Sequence, residues 1–208
     1  MACHNVDLNT WPRAAQFRFF RTYEKPHYAV TSRLDVTHLM ARKAEGVSPY
    51  RACLYAIGTG LHVVPELSMR FRGDQVVRHD VVNLSMTVPT QDGSFTYGYV
   101  PYLPDFLDFD SHAKALIEAA AQGGDLAANA GDRDDVAYLS CMPWLDYTSI
   151  NNALPGPDDC IPRVSWGKFV DHGTGWDMAM TLEVHHALVD GAQVGAYFAA
   201  VQAALNAI

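Results

Sequence analysis

From Ala179 to His185 the chain alternates apolar and polar residues, and at Gly191 it passes into a helical pattern that runs to the C-terminus. Alternation with a period of two belongs to a half-buried strand. The helix, from about Ala192, carries Val194, Tyr197, Phe198, Val201 and Leu205 on one face, a stripe that needs an apolar partner. A strand joined by a tight turn to such a helix commits this end of the chain to a layered arrangement, helix against sheet.

Upstream, strands and helices continue. Residues 27–33 (HYAVTSR) alternate as a half-buried strand does. Asp35 or Thr37 is placed to cap a helix ending near Gly46. Ser48 precedes Pro49, an N-cap followed by proline at the first helical position, where its missing N–H costs nothing. That helix is predicted to reach about Val63 and stop before Pro65. Residues 69–72 and 75–79 flank Gly73-Asp74 as a hairpin, and residues 82–88 and 95–100 flank a turn at Gln91-Asp92-Gly93. Asp110 or Ser111 is the expected cap of an alanine-rich helix that ends at Gly123-Gly124. Strands follow near residues 136–140, 163–171 and 178–185. Strands outnumber helices and the order is not strictly βαβ. The expected fold class is therefore α/β (α+β), a two-layer sandwich whose mixed β-sheet is covered by helices on one side. No repeat or linker divides the 208 residues, a length that suits one domain.

The formal net charge is -8, which argues against a nucleic-acid partner, since that would need a basic patch. No run approaches the roughly 18–20 uninterrupted apolar residues of a membrane span. The stretch from Met1 to Thr10 lacks the apolar core of a signal peptide, so the expected location is cytoplasmic. Cys3, Cys53, Cys141 and Cys160 form no CxxC pair and no zinc-type spacing with histidine. Free thiols and no bound metal are expected.

Chemistry concentrates in the stretch from Glu183 to Ala192, EVHHALVDGA. Two histidines close a strand, and Asp190 and Gly191 open the last helix. Imidazole is the natural general base near neutral pH, and Asp190, four residues after His186, could orient the ring or lock the loop through a cation. A plain structural role, with the histidines ending a strand and Asp190 capping a helix, fits the spacing as well. A shared metal fits less well, because adjacent residues on a strand point to opposite faces.

HHALVDG resembles the HHxxxDG signature of the CoA-dependent acyltransferase superfamily, which includes chloramphenicol acetyltransferases, dihydrolipoyl acyltransferase catalytic domains and condensation domains. Four further stretches, in order, resemble the chloramphenicol acetyltransferase branch: Trp11-Pro12-Arg13 with the aromatic run from Phe17 to Arg21, Thr31-Ser32-Arg33-Leu34-Asp35-Val36, Ser140-Cys141-Met142-Pro143-Trp144, and the run from Pro162 to Lys168. The resemblance covers the chain from Trp11 to its end. It implies a single domain over residues 1–208 with the CoA-dependent acyltransferase fold. The implied reaction is direct transfer of acetyl from acetyl-CoA, a cosubstrate and not a permanently bound cofactor, to a small-molecule hydroxyl.

The resemblance also assigns roles. His186, the second histidine, is the implied base. Ser140 is the implied oxyanion donor, Ser165 stands where a threonine positions a water, and Arg13 with Asp190 is the implied supporting ion pair. Trp144, Lys168 and Phe169 fall on the CoA channel. A lysine often used for the CoA phosphate is replaced by Ser48, and Arg51 is the expected substitute. Acceptor-pocket positions fall on Phe20, Glu24, Tyr28, Tyr102, Ile150 and Asn152. Glu24 and Asn152 stand where apolar residues are usual and Tyr28 where Phe is usual, a departure from the chloramphenicol pattern. The family forms homotrimers with active sites between subunits, so His186 is expected to face residues near Phe20, Tyr28 and Ser140 of another chain. Two alternatives remain: the same chemistry on a different alcohol or thiol, and a silent trimer that binds CoA or a small molecule. The joint presence of His186, Ser140, Arg13 and Asp190 weighs against the second.

Overall fold

A computed structural model describes residues 3–123 and 133–208; Met1, and Gly124 at the predicted end of the alanine-rich helix, lie outside them. In chain order the elements are β1 (Cys3–Asn5), α1 (Ala14–Phe20), β2 (His27–Asp35), α2 (Thr37–Lys43), α3 (Pro49–Val63), a 3₁₀ turn (Pro65–Ser68), β3 (Met69–Arg72), β4 (Gln75–His79), β5 (Asn83–Pro89), β6 (Phe95–Val100), α4 (Phe106–Ala120), β7 (Val136–Cys141), β8 (Arg163–Asp171), β9 (Trp176–His185) and α5 (Gly191–Ala207). Six strands form the main sheet in the order β2-β9-β8-β7-β5-β6, and β1-β4-β3 form a small antiparallel one. In the main sheet β7 runs parallel to both β5 and β8, while the other neighbours are antiparallel. The fold is the expected mixed sheet with helices packed on it.

Strand alternation separates the two faces of this sheet. Met178, Met180, Leu182 and Val184 of β9 enter one core with Val164 and Trp166 of β8, Leu84 and Met86 of β5, and the buried residues of α3 and α5. Across the other face Thr31, Thr181, Ser165 and Ser140 lie side by side on β2, β9, β8 and β7. One face is thus oily and helix-covered, and the other is a field of hydroxyls and charges. The helices approach closely where Gly60 of α3 meets α5: a Cβ at Gly60 would stand 2.6 Å from Val201.

Several local signals act as the sequence indicates. The Ser48 hydroxyl caps α3 by accepting from the Arg51 N–H, with Pro49 in the first turn. Asp190 caps α5 in a capping box with Gln193. The cap of α4 is a correction. It is Asp105, whose carboxylate accepts the Asp108 N–H at 3.0 Å, and neither Asp110 nor Ser111. Helix has to begin there because Phe109 is fully buried and Phe106 packs against the same core. Asp110 is instead drawn into an ion pair with Arg51. Strand β1, helix α1 and the 3₁₀ turn were not among the expected elements.

Candidate active site

The tight turn after β9 treats its two histidines differently. His185 is buried. Its Nδ1 accepts the Ala187 N–H at 3.1 Å, which requires the proton to be on Nε2, 2.9 Å from the Pro157 carbonyl. Burial first, and then the neighbouring His27, push its pKa down to about 4, so at neutral pH it is an uncharged strut. His186 points away from it, as strand geometry demands, and its side chain keeps 36% exposure. Phe20 stacks flat on its ring with centroids 3.9 Å apart, and Tyr28 leans on it at 4.7 Å. The backbone N–H of His186 donates to the Pro26 carbonyl. Nδ1 is the enclosed nitrogen, 3.0 Å from Asp190 Oδ1 but not aligned with it as a hydrogen bond.

Arg13 holds the turn from outside the sheet. Its guanidinium pairs with the Asp190 carboxylate, donates to the Leu188 carbonyl at 2.9 Å and reaches the His186 carbonyl at 3.3 Å. One buried cation thereby ties the carbonyl of His186 to Asp190, the N-cap of α5. The hydrogen bond from Arg13 holds the Asp190 carboxyl below the usual carboxylate range. The Tyr28 hydroxyl donates to the Val189 carbonyl, and burial, followed by the charge of Asp190, raises that phenol to about 12.

The hydroxyl face of the sheet encloses a cavity of about 460 Å³ lined by residues including Ser140, Ser165, Tyr138, Asn152, Asp159 and Arg163. Ser165 Oγ is buried there without a hydrogen-bond partner. Asn152 donates to Glu183 Oε2 through both its backbone N–H (2.8 Å) and its side-chain Nδ2 (2.7 Å). The structure does not bring this cavity to His186. Ser140 pairs across β8 to Thr181, two strands over and five residues short of His186. Strand spacing and rise then separate the two Cα positions by roughly 19 Å.

A second cleft, of about 430 Å³, opens on the edge formed by α2, α3 and β8. Lys168 and Phe169 line it together with Lys43, Tyr50, Pro143 and Trp176. Its apolar floor and two lysines at the rim suit a long ligand with anionic ends. Trp144 is 70% exposed and does not line this cleft. Arg51 is not free to replace a phosphate-binding lysine, because Asp110 takes its guanidinium in two hydrogen bonds of 2.7 and 3.0 Å. Gly167 matters to the shape. It lies at the irregularity of β8, where a Cβ would meet the Leu145 carbonyl at 2.6 Å.

The remaining expected residues divide. Phe20 and Tyr28 touch His186 within the same chain. Glu24 is exposed in the turn beyond α1, and Ile150 is half-buried in the segment leading to Asn152. Tyr102 packs on α3, stacked on His62 at 4.1 Å with its hydroxyl near Thr59, and so contacts neither His186 nor the hydroxyl cavity. Glu183, Asp159 and Lys43 were missed. The alternation that set Thr181 and His185 on one face also puts Glu183 there, and that was the available signal. Among the described residues no group of three or more His, Cys, Asp or Glu could hold a metal ion, and no helix is long and apolar enough to cross a membrane.

Residues 1–202 match the sequence profile of the family described as chloramphenicol acetyltransferase. A curated relative, chloramphenicol acetyltransferase 2 of Escherichia coli, is 26% identical over 189 residues, covering 89% of each chain. A solved chloramphenicol acetyltransferase superposes with a TM-score of 0.91 at 26% identity, over 98% of this chain and 100% of that one. The cubic core of the pyruvate dehydrogenase multienzyme complex matches with a TM-score of 0.65 at 17% identity, over 93% of this chain and 86% of that one; that likeness is one of fold.

Proposed function

The chain belongs to the chloramphenicol acetyltransferase family, and on that premise we propose that it transfers the acetyl group of acetyl-CoA to a hydroxyl of chloramphenicol or a related small molecule, with His186 as general base. The observation that carries this reading is the division of labour between adjacent histidines. His185 is sealed and neutral, while His186 is presented at the surface with its turn clamped by Arg13 and its ring stacked on Phe20. A rigidly held, accessible imidazole is what proton abstraction from an alcohol requires.

In this mechanism the hydroxyl loses its proton to His186 as its oxygen attacks the thioester carbonyl. The tetrahedral oxyanion accepts a hydrogen bond from Ser140. Collapse expels the CoA thiolate, which takes up the proton from His186. With roughly 19 Å between the backbone positions of His186 and Ser140 in one chain, the two groups serve one acetyl transfer only if they come from different subunits. This supports active sites between chains; the proposed assembly is a homotrimer, and its proposed location is the cytoplasm. The cleft with Lys43, Lys168 and Phe169 is the proposed channel for CoA.

The polarity of the cavity favours a second reading of the acceptor alone: Asn152 and Glu183 suit a more polar alcohol. The test follows free-thiol release from acetyl-CoA, with chloramphenicol as acceptor and His186→Ala as control. Loss of a general base is expected to lower kcat by about 10²–10⁴-fold. His186-dependent turnover of other alcohols alone would move the acceptor and keep the mechanism. Turnover indifferent to His186→Ala would remove the base assignment, and CoA binding without transfer to any acceptor would favour a silent binder.

A further inference from the structure

Glu183 is a buried carboxylate, 5% exposed, on the hydroxyl face of β9. Among the described residues no cation is paired with it. Its register neighbour Arg163 pairs with Asp159 at 2.5 Å. The hydrogen bonds to Glu183 come from Asn152, and both reach Oε2. Asn152 is the donor in both, so its amide presents the nitrogen to Glu183 and its carbonyl oxygen takes no part in this contact. Asn152 lines the cavity that also holds Ser140 and the unpartnered buried hydroxyl of Ser165.

We propose that Glu183, acting through Asn152, makes this enzyme select hydroxyl acceptors that also carry a protonated amine, that is, amino alcohols. The inference rests on the reading of the cavity as the acceptor site. Its physical basis is a hydrogen-bond acceptor at the wall, backed by the buried carboxyl group of Glu183, which has no ion-pair partner among the described residues. A cationic donor on the substrate there gains a charge-assisted hydrogen bond and relieves the buried charge. A neutral acceptor of the same shape gains neither, and selectivity is the difference between the two. Glu183 is thus a positioning residue and Asn152 the contact.

The experiment compares chloramphenicol with the amino diol that remains when its acyl group is removed, a pair that shares the reacting hydroxyls. Acetyl-CoA is the donor, the pH is neutral, and the O-acetyl product is identified. Wild type is expected to favour the amino diol in kcat/KM relative to Glu183→Gln by about tenfold, the scale of one hydrogen bond to a charged group, and chiefly through KM. Asn152→Ala is expected to lose the same preference, read in each protein as the ratio of kcat/KM for the two acceptors. Equal ratios of kcat/KM for the two acceptors in wild type and both variants overturn the proposal even if chloramphenicol is turned over. If neither acceptor is turned over, the acetyltransfer reading fails separately, and direct binding of the same two compounds to wild type and Glu183→Gln decides the inference. Tighter binding of the amine by wild type supports it, and indifference to the substitution refutes it.

Discussion

Phe20 lies flat on the imidazole of His186, with ring centroids 3.9 Å apart and planes within 8° of parallel. The two residues are separated by most of the chain, and the contact exists because α1 delivers Phe20 to the turn that leaves β9. A stacked aromatic pair of this kind contributes about 0.5–1.5 kcal/mol beyond its buried area. If that energy holds His186, the proposed base, in its reactive orientation, Phe20→Ala lowers kcat/KM by up to about tenfold, while Phe20→Tyr retains most of it. Steady-state kinetics on the two variants checks this, and an unchanged kcat/KM in Phe20→Ala would show that the ring is positioned without the stack.

His185 supplies a pH signature. Its pKa falls from its ordinary 6.5 to about 4 on folding, chiefly through burial. Because the folded value is depressed, the unfolded chain takes up the proton first. The stability this residue contributes is complete above about pH 6.5 and declines as pH falls toward about 4, by a limit of about 3 kcal/mol. Urea midpoints measured across that window are expected to fall for the wild type. His185→Gln cannot titrate and gives a flatter profile; identical slopes in the two proteins would contradict the assignment.

What could be read from the sequence follows how local the determinant is. The strand-turn-helix from β9 to α5, the Ser48-Pro49 start of α3 and the Gly73-Asp74 hairpin depend on neighbouring residues, and they stand where periodicity and capping put them. The start of α4 was misread because Asp105, Asp110 and Ser111 all have capping side chains. The choice among them depends on Phe109 finding a core built from distant strands. At the site, HHALVDG singles out His186, the proposed base, but says nothing of its surroundings. Arg51 looks available for phosphate until Asp110, far along the chain, occupies it. Tyr102 falls at an acceptor position by resemblance, yet the gap beside Gly58 and the ring of His62 draw it onto α3.

The clamp between Arg13 and Asp190 can be tested without disturbing the helix cap. Asp190→Asn keeps a capping side chain but removes the charge, leaving the Arg13 side chain, 10% exposed, without its counter-ion. Breaking a buried pair in this way costs about 3 kcal/mol or more. Arg13 also holds the carbonyls of His186 and Leu188, so the loss is expected to appear in kcat as well as in stability. A double-mutant cycle with Arg13→Met separates the pair from its parts. Additive effects on stability would mean that the two groups act independently.

Gly167 provides the last prediction, because it limits how closely two segments can approach. At the irregularity of β8, the chain from Met142 to Tyr147 crosses so near that a Cβ on residue 167 would meet the Leu145 carbonyl at 2.6 Å and the Tyr147 ring at 3.1 Å. The Leu145 carbonyl accepts the Lys168 N–H, and the Tyr147 hydroxyl donates to the Ser165 carbonyl. The crossing segment cannot retreat without loosening both. Gly167→Ala therefore forces overpacking, with an expected cost of about 1–3 kcal/mol. Its consequence for function is directional, since Pro143, Gly167, Lys168 and Phe169 line the cleft assigned to CoA. The KM for acetyl-CoA is expected to rise several-fold while the KM for the acceptor alcohol stays near its wild-type value. Thermal unfolding and a two-substrate kinetic matrix measure both quantities. A destabilised variant with an unaltered KM for acetyl-CoA would separate the crossing from the cleft and place CoA elsewhere.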